Sequence, residues 1–256
     1  MDYFRKTNYK EKVGMKEISV EFLKDRREKS LLVLLIGSSV GVLLGLSLYL
    51  ANKNVFVHEH SQWLALWDEI NLFSSQIFVP LFLALVISRN IQKEYKYHNI
   101  NVWLTLSKST SRIVLSKFVY FSILYFVNQL ILLLIFYILG LVNHFPININ
   151  IFIFSFWMFS SWVGGLGIIS WEIFLSFKLK NSLNVMLVCL ACCILGFIIS
   201  TINPIMSQLY PFSQILIGTQ AKYNQNFNFI SGTFFLFICL INIFLGICLS
   251  KKHVKI

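Results

Sequence analysis

Charge is scarce in this chain. Only 13% of its 256 residues are Asp, Glu, Lys or Arg, against 57% apolar and 16% aromatic, a balance that excludes an ordinary soluble domain. Long polar stretches are missing too, since the largest are the N-terminal segment 1–30 and the stretch 89–117. Neither has room for a soluble catalytic domain, so any chemistry sits in the membrane or is supplied by a partner. Acidic residues are half as common as basic ones, 11 against 22. The resulting excess of positive charge lies in short segments between apolar runs, where anionic lipid headgroups account for it and nucleic acid is not expected.

Catalytic constellations are equally sparse. His58 and His60 form a His-x-His pair without a third clustered ligand, and His98 and His253 belong to other segments, so no metal centre is expected. There is no Gly-x-Ser-x-Gly, and no histidine faces the cysteines from the same helical region, which leaves no assembled peptidase. The five cysteines, Cys189, Cys192, Cys193, Cys239 and Cys248, all fall in the last two apolar stretches, where thiols act as small packing groups and no disulfide is implied. Residues 1–30 are too long and too acidic for the leading region of a signal peptide, and no small-residue cleavage site follows the first apolar run. That run is expected to remain as a span.

What the chain has in abundance is long apolar runs. They cover approximately 31–51, 72–88, 118–142, 151–175, 183–204 and 229–250, and all but the second reach the ~20 residues needed to cross ~30 Å of hydrocarbon. Twenty of the 22 Lys and Arg residues lie in alternate connecting segments, namely 1–30, 89–117, 176–182 and 251–256. The positive-inside rule puts those segments in the cytoplasm. The expected fold is an all-α integral membrane protein: a cytoplasmic N-terminus 1–30, a six-helix domain 31–250 and a cytoplasmic tail 251–256.

Within residues 15–30, Met15, Ile18 and Phe22 recur at helical spacing beside Lys16, Lys24, Arg26, Arg27 and Lys29. This pattern predicts an amphipathic interfacial helix that leads into the first span. The 89–117 loop carries Tyr95, Tyr97, Ile100, Val102, Trp103, Leu104 and Leu106, more apolar surface than a solvated linker needs. Either the membrane interface or a cytoplasmic partner is expected to cover it. Ser107, Ser109, Thr110 and Ser111 then supply caps for a helix beginning near Arg112.

Inside the spans, Gly37, Gly41 and Gly45 make a small-residue stripe for close helix packing, against a neighbour in the chain or in a second copy. Gly164, Gly165 and Gly167 predict a bend or a close approach. Glu172 is the one acidic residue assigned to a span. Its place near the cytoplasmic boundary predicts an ion pair with Lys178, Lys180 or the 89–117 loop, or a headgroup contact, in preference to a proton relay. On the outer side, 205–228 contains Pro211 and Gly218, interruptions that permit it to dip back into the membrane. Loop 52–71 holds Glu59, Trp63, Trp67, Asp68 and Glu69, read either as an interfacial aromatic belt or as an acidic, aromatic rim contacting a cationic peptide.

The stretch 79–119, VPLFLALVISRNIQKEYKYHNINVWLTLSKSTSRIVLSKFV, resembles the region between the second and third helices of ABC transporter permeases of the type-2 exporter class. The matching positions are Glu94, Asn99, Trp103 to Leu106, Ser111, Arg112 and Lys117. Ile100, Asn101 and Thr110 stand where relatives commonly carry Gly, Thr and Pro. Residues 20–36 are similar to the same family's approach to its first helix. Among these permeases a short chain without an added soluble domain looks most like the lantibiotic-immunity and bacitracin-resistance peptide exporters.

The resemblance implies a bacterial plasma-membrane subunit that lacks a nucleotide-binding motif and works with a separate ATP-binding subunit, where ATP and Mg would be held. It also implies a second permease copy, identical or related, and a peptide substrate. Loop 89–117 would be the coupling element, with Glu94, Tyr95, Asn99, Trp103, Leu104, Leu106 and Arg112 as its docking residues and Lys178 and Lys180 as a second contact. The other readings weighed are a six-helix substrate-capture subunit of an importer, and a membrane-embedded enzyme with an unrecognised motif.

Overall fold

The computed structural model describes residues 18–25, 28–53, 62–97, 110–146, 150–219 and 229–254. These residues contain no strand. Residues 18–25 are helical and are followed by α1 (Ser30–Ala51), α2 (Gln62–Phe73), a π-helical turn (Ser74–Phe78) and α3 (Val79–Lys96). Then come α4 (Thr110–Val142), α5 (Ile151–Leu179), α6 (Ser182–Ile202), the short α7 (Pro204–Leu209) and α8 (Gln214–Thr219), and α9 (Phe229–His253). Six helical segments are long and apolar enough to cross a membrane, and the chain is a multi-pass membrane protein.

The second crossing differs most from its sequence reading. It runs from Gln62 to Lys96 as one 35-residue segment, so residues 62–71 are helix and not an outer loop. Polar Gln62, Asp68, Glu69 and Asn71 lower the local hydropathy, which is why the apolar run begins only at 72. Pro80 lies inside this crossing. Proline has no N–H to donate and crowds the preceding turn, and here the ladder widens just before it: the Val79 N–H bonds back to the Ser74 carbonyl, five residues earlier.

Without a hydrophobic driving force between helices in lipid, close backbone approach and buried polar contacts decide which helices pair. The α1 stripe illustrates this. A Cβ on Gly41 would stand 2.6 Å from the Ser74 Cα, one on Gly45 would stand 2.5 Å from the Ile70 Cα, and one on Gly37 would enter the Phe82 ring. The neighbour of the stripe is therefore the second crossing of the same chain.

Helix α7 lies on the outside of the bundle, with Ile205, Met206 and Leu209 exposed, and α8 folds back into it. Asn203 caps α7 by accepting from Ile205 N and Met206 N, and Pro204 stands at the start of that helix, where its missing N–H costs nothing. Every residue of α8 is buried. Its backbone lies against the middle of α5: a Cβ on Gly164 would be 2.4 Å from the Gln214 carbonyl oxygen, and one on Gly218 would be 2.6 Å from the Ser161 Cα. The α5 glycines thus serve close approach, and α5 remains one helix from Ile151 to Leu179. Residues 214–219 pack back against α5, and 220–228 lie outside the described residues.

Two ends of the bundle differ in chemistry. Residues 18–25, the end of α3, the start of α4, the α5–α6 turn and the end of α9 gather at a basic end, joined by Glu94 to Lys117, Lys180 to Tyr95, and Phe174 to His253. At the opposite end Trp63, Trp67, Phe136, Phe154 and Trp157 stack edge to face in one cluster. Trp63 Nε1 donates to the Pro146 carbonyl and Trp67 Nε1 to that of Thr219. Both indoles are 4% exposed, so they form neither an interfacial belt nor a rim open to substrate. Asp68 and Glu69 are half-buried on α2, and Glu59 lies outside the described residues.

Candidate functional site: a buried charge cluster at the basic end

Asn90 and Glu94 stand four residues apart on one face of α3, and Lys117 is in the third turn of α4. The Lys117 side chain is fully buried, and its Nζ donates to Asn90 Oδ1 at 2.6 Å and Glu94 Oε1 at 2.8 Å. It also reaches both Glu21 oxygens at 3.4 and 3.5 Å. Lys24 Nζ bonds Glu94 Oε1 at 2.7 Å and Glu21 Oε1 at 3.1 Å. Two ammonium groups and two carboxylates balance here, and the amide oxygen of Asn90 completes the shell. Burial alone would lower the Lys24 pKa, but the adjacent Glu94 and Glu21 carboxylates overcome it and raise it above the ordinary lysine value.

The cluster fastens the N-terminal helix to the ends of the two helices that flank the 89–117 loop. Phe22 adds an edge-to-face contact with Tyr120 at 5.1 Å. The chain then turns into α1 at Lys29, which adopts the left-handed conformation (φ 51°), while the Asp25 carboxylate accepts from Ser30 N at 3.0 Å. These contacts tie residues 18–25 and the start of α1 to the bundle.

Glu94 is therefore a buried structural charge, 5% exposed, and not an exposed docking residue. It also belongs to helix α3 and not to a loop, because Lys117 and Lys24 neutralise it where the helix ends. Tyr95, next to it, faces another way. Its ring lies 4.8 Å from Lys180 Nζ and 6.4 Å from the Phe177 ring. Two elements expected to couple to a partner are thus neighbours, the end of α3 and the α5–α6 turn. Lys178 lies over Phe174 at 5.7 Å, and Arg112 is half-buried in the first turn of α4. Asn99, Trp103, Leu104 and Leu106 fall outside the described residues.

Sequence reasoning missed Glu21, Lys24 and Asn90. The available signal was the i, i+4 spacing of Asn90 and Glu94 beside an apolar face, which places an amide and a carboxylate where a buried cation can meet both.

Glu172 departs from its expected ion pair. It is fully buried, and among the described residues no cation pairs with it, because Lys178 and Lys180 turn to aromatic rings. Its Oε1 accepts from Cys189 Sγ at 3.5 Å, and Oε2 has no hydrogen-bond partner. Cys189 and Cys193 are 4.0 Å apart at sulfur and unbridged, and all five cysteines are free thiols. A charge left uncompensated in hydrocarbon costs ~2.5–3.5 kcal/mol even on permissive scales. Glu172→Gln, which keeps the shape without the charge, is expected to melt at or above the parent temperature in detergent, whereas Glu172→Lys is expected to lose the fold. A clear drop for the Gln variant would mean that the carboxylate has an ionic partner.

Six apolar helices long enough to cross a membrane, with a short buried helix inserted among them, define a polytopic helical membrane domain. The family profile described as ABC-2 family transporter protein matches residues 17–196, and the chain belongs to that family. It is a permease subunit of the ABC-2 type. A comparison with curated proteins returned no match.

Proposed function

We propose that this permease is the membrane half of an ATP-driven exporter in the bacterial plasma membrane, oriented with its basic end in the cytoplasm. A separate ATP-binding subunit carries ATP and Mg and docks at the basic end. Two permease copies, identical or related, enclose the path of an antimicrobial or other amphipathic peptide. Support for the orientation is the charge sidedness, with 20 of 22 cations in segments assigned to one side.

The observation that carries the coupling proposal is the clamp on both flanks of the 89–117 loop. Lys117 and Glu94 tie α3 to α4, Glu21 and Lys24 tie both to the N-terminal helix, and Tyr95 meets Lys180. A push by a closing ATPase on the end of α3 or the start of α4 is passed to three helices that these contacts hold together. The docking surface is then Tyr95, Lys180, Arg112 and the aromatic stretch around Trp103, with Glu94 acting as a positioning residue beneath it.

Trp103→Ala combined with Lys180→Glu is expected to leave insertion unchanged, to lower thermal stability only by the Lys180–Tyr95 contact, about 0.5–1 kcal/mol, and to reduce ATPase co-purification or uncouple hydrolysis from transport. Glu94→Lys is expected to lower stability as well. Full coupled transport by the Trp103/Lys180 double variant would overturn the docking surface.

A further inference from the structure

We propose that the cleft between the N-terminal elbow and α3 binds the phosphodiester headgroup of an anionic phospholipid. The cleft has an inner part of about 150 Å³ lined by Glu28, Ser30, Val33, Val86, Arg89 and Lys93. An outer part of about 520 Å³ shares Glu28 and Lys93 and widens toward Lys24 and Tyr97. The lining is graded. Val86, Arg89 and Lys93 follow one another at three and four residues along α3, so a single helix face passes from apolar to cationic, and Ser30 and Val33 repeat the gradient on α1. A phospholipid is the ligand with that order of chemistry, acyl chain beneath phosphate.

Charge selects among lipids. Lys93 pairs with Glu28 at 2.9 Å, and Lys24 and Lys117 are balanced by Glu21 and Glu94. Arg89 is exposed and forms no ion pair among the described residues, so its guanidinium is open to a ligand at the cleft. An open guanidinium complements an anionic headgroup and disfavours a cationic peptide. The guanidinium offers the paired donors that phosphate oxygens accept. Below the cleft, Leu32 and Ile36 of α1 are 49% and 54% exposed and give the acyl chains an apolar track. A lipid seated here would bridge the elbow and α3 beside the charge cluster.

The test is native mass spectrometry of the full chain purified in detergent, titrated with phosphatidylglycerol or with phosphatidylcholine of the same acyl chains. Phosphatidylglycerol is expected to be retained preferentially, and Arg89→Gln to weaken retention about fivefold, the loss of one cationic contact at a membrane surface. Arg89→Lys is expected to restore most of it. Equal retention of the two lipids by the parent overturns the proposal without reference to any variant, and so does undiminished retention by a well-folded Arg89→Gln protein. Competition by soluble glycerophosphate as effective as that by the lipid would reduce the site to a phosphate pocket and also overturn it. If Arg89→Gln fails to fold, Lys93→Gln is read in its place.

Discussion

Lys117→Met is expected to destabilise the protein by about 3–5 kcal/mol, because it removes one partner of a buried ionic cluster and strands the carboxylates it compensated. Lys117 is fully buried, and its ammonium has Asn90, Glu94 and Glu21 within 3.5 Å. With it gone, Lys24 alone faces Glu21 and Glu94. Glu94→Gln in the same protein restores charge balance, since Glu21 and Lys24 then remain as an i, i+3 pair, and the double variant is expected to recover much of the loss. The coupling of the two substitutions isolates the ion pair from ordinary packing. A second readout follows from the architecture: limited proteolysis between residues 18 and 29 is expected to accelerate in Lys117→Met, because that cation fastens the elbow to α3 and α4. Unchanged melting and unchanged proteolysis would show that the cluster holds nothing together.

The second large effect is expected at Gly41. Its side of α1 meets the backbone of the π-helical turn, with a Cβ placed 2.6 Å from the Ser74 Cα and 2.9 Å from the Ser74 N. Backbone cannot rotate away, so Gly41→Ala is expected to force α1 from the second crossing and cost about 1–3 kcal/mol, with Gly41→Val worse. Gly45→Ala should behave alike, since it meets Glu69 and Ile70 backbone. Gly37→Ala should be milder, because its obstacle is the Phe82 ring, which has rotamers available. Thermal melting measures the order, and size-exclusion chromatography checks the alternative. If the stripe served a second permease copy, Gly41→Ala would separate the copies and leave protomer stability intact.

Both effects rest on features that were only half visible beforehand. The Gly37, Gly41 and Gly45 spacing announces close packing in any helix, yet it names no neighbour, and the residues that fill it, Glu69, Ile70, Ser74 and Phe82, are more than 20 residues further along the chain. Glu94 and Lys117 both stood out as motif positions. Their direct contact, and the arrival of Glu21 and Lys24 from the N-terminal helix, depend on how three helices converge. The polar residues around Trp63 and Trp67 break the apolar run, so the sequence pattern places both outside the membrane. In the folded chain Asp68 and Glu69 accompany them on α2, and the indoles turn inward to ring partners on α4 and α5.

By itself the sequence determined the number of crossings, the segregation of positive charge and the likeness to a permease family. The first two are properties of local composition and period, and a bilayer enforces them one helix at a time, since each span must satisfy its own backbone and each cation must reach an interface; the likeness rests on the motif positions within 79–119. Tertiary structure alone decided which faces meet, that Glu94 is a buried clamp, that Glu172 meets no cation among the described residues, and that α8 is inserted against α5. Helix pairing in lipid is settled by shape and by a few polar contacts between residues far apart in the chain, and no local pattern encodes which of several apolar faces will be the partner.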